Sequence, residues 1–139
     1  METKKTFACI IVVLAILAYG SLSWAVEDVF KVSLMATKHH PKAMGIAVIS
    51  DENILLKAKG LKPDAVYTVW FVNMKPHKHE AGAGEAPYMF KTDSSGSAVY
   101  SSALGGSPKG KWEMLMVVLH PTGDPADMQN MVGGLSAKL

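Results

Sequence analysis

The chain has 139 residues, fourteen basic side chains against twelve acidic ones, and one cysteine, enough for a single modest domain of nearly balanced charge. Every basic residue is lysine. With no arginine and no concentrated basic run, the composition excludes nucleic acid as a partner, because its recognition leans on bidentate arginine contacts.

Residues 1–25 read as a secretory signal peptide: Lys4 and Lys5 make a basic start, Phe7 to Ala18 an uninterrupted apolar run, and Ser23-Trp24-Ala25 a small-x-small site. Cleavage after Ala25 predicts one exported domain over 26–139, periplasmic or extracellular. Membrane contact is expected only through the same segment, were it kept as an anchor. Cys9 lies inside the apolar run, so the domain itself has no cysteine. That removes disulfides, thiolate nucleophiles, zinc-thiolate sites and blue copper.

From Phe30 the apolar residues come in short alternating runs. Phe30, Val32 and Leu34 alternate with Lys31 and Ser33, the period of a half-buried strand. Residues 37–42 are a polar break. Met44, Ile46 and Val48, the turn at 50–53, and Ile54, Leu56 and Ala58 read as a hairpin. After the Gly60 to Asp64 turn, Val66 to Met74 is apolar on both faces: Thr68, Trp70, Val72 and Met74 point one way, Tyr67, Val69, Phe71 and Asn73 the other. A central, covered strand is predicted.

Lys75 to Ala86 reads as a loop. Tyr88 to Thr92 and Ala98 to Ser102, around the Asp93 to Gly96 turn, read as a second hairpin. Trp112 to His120 reads as another central strand. Asp124 before Pro125 and the glycines at 133–134 predict a two-turn helix over 125–132, and Leu135, Ala137 and Leu139 a last strand. Seven or eight short strands at intervals of about 10 residues predict an all-β antiparallel sandwich, immunoglobulin-like or Greek-key, with one short helix near the C-terminus. Trp70, Trp112, Phe71, Phe90 and the strand methionines are expected in its core.

The run Gly60-Leu61-Lys62-Pro63, then Tyr67-Thr68-Val69-Trp70-Phe71-Val72, then Phe90-Lys91-Thr92-Asp93 with Gly96, resembles the extracytoplasmic C-terminal domain of anti-sigma-K factors. The resemblance covers about half of the chain after residue 25 and implies the sandwich. The chain lacks that family's cytoplasmic sigma-binding region, so no regulatory role is implied.

Chemistry concentrates in the histidines. His77 and His79 stand two apart after the central strand, a spacing that sends both imidazoles to one side of an extended segment, where they can chelate one metal ion. His120 ends another strand, and His39 and His40 precede Pro41, so the fold must bring these loops together for all five to serve. Met35, Met44, Met74 and Met89 near strand ends add thioethers, a ligand set suited to copper, particularly Cu(I). Gly105 to Lys111 imitates a P-loop, but Trp112 stands where a magnesium-binding Ser or Thr is needed and a strand follows, so no nucleotide is expected. No catalytic signature is present. The expectation is a non-enzymatic exported binding module for copper or another transition metal. The competing expectation is a structural or protein-interaction domain with incidental histidines.

Overall fold

The computed structural model describes residues 28–139, and the signal-peptide reading of residues 1–25 lies outside that range. Among the described residues the chain is all-β and antiparallel, with no helix. Its strands are β1 (Phe30–Ala36), β2 (Met44–Ile49), β3 (Asn53–Lys59), β4 (Val66–Asn73), β5 (His79–Gly82), β6 (Met89–Lys91), β7 (Ala98–Ala103), β8 (Met114–His120) and β9 (Val132–Lys138). They form one curled sheet in the order β5-β4-β8-β9-β1-β2-β3-β7, with β6 beside β5 on the same edge of β4.

The sheet bends at β1. Residues 30–34 pair with β2, while only Met35 and Ala36 pair with β9. The two edges then approach each other: the Tyr100 hydroxyl of β7 donates to the Ala83 carbonyl at 2.7 Å, and the Glu85 N–H donates to the Ser102 hydroxyl at 2.7 Å. The concave side holds the core. Leu34, Ala47, Leu56, Val69, Leu115 and Leu135 are its centre, and Tyr67 stacks on Phe90 with ring centres 5.4 Å apart. Strict alternation in β2 and β3 fixes the register, because a one-residue slip would turn Ala47, Ile49, Ile54 and Leu56 out to water.

Three expectations are corrected. The helix over 125–132 is absent. Its first carboxylates compete for the backbone instead: Asp124 Oδ1 accepts the Ala126 N–H at 2.9 Å and Asp127 Oδ1 the Gln129 N–H at 3.1 Å, giving turns. A two-turn helix has too little cooperativity to resist that. The second hairpin opens: Asp93 and Ser97 close the turn, but β6 then joins β4 and β7 joins β3. Inside the expected 75–86 loop lies β5, whose residues 79–82 pair with 70–73 of β4.

Candidate functional site

The five histidines do not converge. His120 pairs with Val66 and His79 with Asn73, so seven residue steps of β4, roughly 23 Å, separate them. His77 and His79 are exposed at the Asn73 end, where His79 stacks on Trp112 with ring centres 5.3 Å apart and Trp112 stacks in turn on Phe71. His39 is exposed in the 37–42 loop, at the opposite end. Among the described residues no three His, Cys, Asp or Glu side chains gather as a metal cluster. Of the predicted ligands, His77 and His79 stay together as an exposed pair, apart from the other three.

His40 is buried on the core side of β4. Its Nε2 meets the Tyr67 hydroxyl at 2.9 Å, and that oxygen also accepts the Lys62 N–H at 2.9 Å. Nδ1 closes no hydrogen bond of ordinary geometry, although the Gly133 carbonyl is near enough to act on the ring. Burial pushes the imidazole below its ordinary value of 6.5; His39 adds to the shift, the Gly133 carbonyl opposes it and Lys62 adds again. A base depressed in the folded state binds fewer protons than in the unfolded one. Its stabilisation is therefore complete above pH 6.5 and declines as pH falls from there toward the folded-state value. We expect the denaturation midpoint to drop between pH 7 and pH 5, and a His40→Gln variant to show a flatter profile over that interval. Asp93, held below the usual carboxylate range first by the Ser95 hydroxyl, acts below about pH 4 and leaves that interval untouched.

His120 sits on the other, outer face of β4. Its Nδ1 lies 3.1 Å from the Asp127 carbonyl, which can only accept, so Nδ1 carries a hydrogen. Nε2 lies 2.6 Å from Thr68 Oγ1, and that oxygen accepts the Trp70 Nε1–H at 2.7 Å, leaving the threonine hydrogen to bind Nε2. Both imidazole nitrogens are thus engaged within the protein. The chain from Asp127 through His120 and Thr68 folds the Trp70 indole back over the sheet and fixes it there.

Around Trp70 the outer face is apolar. Across the strands one row reads Gly82, Trp70, Met116, Ser136, Met35, and the next carries Met89, Thr68 and Val118. The Tyr88 ring lies in the space a side chain at Gly82 would fill and packs on Trp70 with ring centres 5.4 Å apart. Tyr88 holds this position at φ 61°, a costly conformation for an aromatic residue. The loop restrains it from both sides, its N–H bonding the Glu85 carbonyl and its own carbonyl accepting the Val69 N–H. Thr68 and Val72 are buried beneath this layer, outside the main core.

Phe71 and Phe90 lie in the core as expected and Trp112 packs against it, but Trp70 and the methionines do not. None of the eight methionines from Met35 onward belongs to the main core; Met35, Met44, Met74 and Met128 are exposed and Met89, Met114, Met116 and Met131 half-buried. The clue was the even positions of the 114–120 run, Met114, Met116, Val118 and His120, which repeat the outer face of β4. Comparison with protein-family models, curated proteins and solved structures finds no match for the chain.

Proposed function

We propose that the chain is an exported, non-enzymatic binding module that takes a soft transition-metal ion, Cu(I), on thioethers of the outer face centred on β8. The carrying observation is the exclusion of all eight described methionines from the core. Methionine is an apolar residue that folding normally buries. A surface set of thioethers in a domain without cysteine is a donor array for Cu(I), which prefers soft sulfur ligands. Met114 and Met116 stand two apart on one face of β8, and Met35 of β1 lies in the Met116 row two strands away, across Ser136 of β9. The exposed His77 and His79 supply a second, separate imidazole pair. The apolar N-terminal run supports a periplasmic or extracellular location.

The test is anaerobic Cu(I) titration against a chromophoric chelator. Leucine keeps the volume of methionine and removes the sulfur, so Met114→Leu/Met116→Leu is expected to weaken binding about ten-fold or more. His77→Ala/His79→Ala is expected to leave that site intact. Unchanged affinity in the leucine variant sinks the thioether reading.

The fixed Trp70 and Tyr88 rings favour one second reading, a docking face for another protein. That binding would survive Met→Leu and fail with Trp70→Ala. For architecture we propose the sandwich: β5, β6, β4, β8 and β9 as one layer, β1, β2, β3 and β7 as the other. The two-residue joint at β1 and the Tyr67, Phe90 and Tyr100 rings packed together support it.

A further inference from the structure

The half of the sheet without Trp70 has its own outer face. Residues two apart share a face. In β2, β3 and β7 the buried set includes Ala47, Ile49, Ile54, Leu56 and Tyr100, so the alternate set points to solvent. Met44, Ile46, Leu55 and Val99 are 51%, 46%, 40% and 61% exposed there, heavy exposure for large apolar groups. Lysines interleave with them in register: Met44 faces Lys59, Ile46 faces Lys57, which faces Val99, and Lys31 of β1 faces Val48.

No carboxylate stands on any of these four strands. The nearest acids lie at the rims. Asp51 and Glu52 occupy the β2–β3 turn, and Asp64 and Asp93 share a shallow hollow with Lys57 and Lys91 beside β7. The centre of the face is therefore apolar and cationic.

We propose that this face docks on an anionic lipid bilayer. Two chemistries coincide on it. Apolar side chains standing out from the sheet can enter the headgroup and upper acyl region, while lysine stems lie along them and hold their ammonium groups at the phosphates. Charge complementarity selects an anionic surface over a neutral one. The face is a sheet surface whose apolar and lysine side chains are spread over four strands. The chain also enters β1 from a sequence whose residues 7–18 are all apolar, which ties it to a membrane during export. Contact through this face is additional to any made by that segment. No helix among the described residues is long and apolar enough to cross a membrane, so the contact proposed is peripheral.

The test is sedimentation of the full chain with phosphatidylglycerol or phosphatidylcholine vesicles. The parent is expected to prefer phosphatidylglycerol, with the preference shrinking as salt rises. Lys57→Glu/Lys59→Glu is expected to weaken binding to phosphatidylglycerol by about thirty-fold or more, and Lys57→Gln/Lys59→Gln by less. Ile46→Ser/Val99→Ser is expected to weaken binding while leaving the salt dependence in place. All variants share residues 1–27, so a difference between them reports on the face, and unchanged melting temperatures exclude misfolding. A parent without preference for phosphatidylglycerol, or a glutamate variant that binds like the parent, overturns the proposal. Capture of the parent by an immobilised polyglutamate surface, with vesicles ignored, overturns it in favour of an acidic protein partner.

Discussion

Truncating Tyr67 to alanine is expected to lower the unfolding free energy by about 4–5 kcal/mol, a large fraction of the roughly 5–15 kcal/mol that holds a domain folded. The residue is fully buried and joins three systems at once. Its ring stacks on Phe90 at an interplanar angle of 8° and meets His40 edge-on with centres 5.8 Å apart. Its hydroxyl satisfies both the His40 Nε2 and the Lys62 N–H. Burial also pushes the phenol above its ordinary value, with the Lys62 N–H pulling the other way, so the group stays protonated. Removing the ring opens a cavity and leaves polar groups unpaired. Denaturant unfolding of Tyr67→Phe separates the two effects, because it keeps the packing and is expected to cost about 1–3 kcal/mol. An alanine variant losing less than about 2 kcal/mol would show that the site collapses around the gap.

Gly60→Ala is expected to cost about 2–4 kcal/mol. Gly60 sits at φ 71°, and an added Cβ would collide with the Lys42 carbonyl and the Ala43 Cα. These are backbone atoms, so relief requires moving the 37–42 loop, whose own turn is closed by the Ala43 N–H on the His40 carbonyl. Gly123 provides the control. It has φ 78° with nothing within 4 Å of its added Cβ, so alanine there meets only the intrinsic cost of the left-handed region, about 1–2 kcal/mol. Paired denaturation curves measure the difference, and equal losses would show that the Lys42 collision is relieved without cost.

The elements legible in the sequence were those whose pattern is local. Met44 to Ile49 and Asn53 to Lys59 form the predicted hairpin because alternation and a polar turn lie within one short stretch. Val66 to Asn73 is central because both of its faces are apolar, and β8 on one side with β5 and β6 on the other complete it. What failed needed distant information. Residues 79–82 have little strand propensity, and β4 makes them a strand by offering an open edge. The Asp93 turn looks like a hairpin until β6 and β7 find separate partners. His40 and His120 share one end of β4 yet occupy opposite faces, a distinction set by pairing and invisible in their spacing. Residue type alone places the methionines in the core, and the phase of alternation along each strand puts them outside.

The position of β9 has a consequence for the order in which the molecule assembles. The last strand in chain order lies between β8 and β1, the first strand, so closing the β1 joint requires contact across about a hundred residues. Until residues 132–138 are available, β8 lacks one neighbour and the Met35–Ala36 end of β1 has none to pair with. Local hairpins such as β2–β3 can form early, without the backbone pairing through β9 that joins β8 to β1. The joint through β9 is therefore expected to form after the local hairpins.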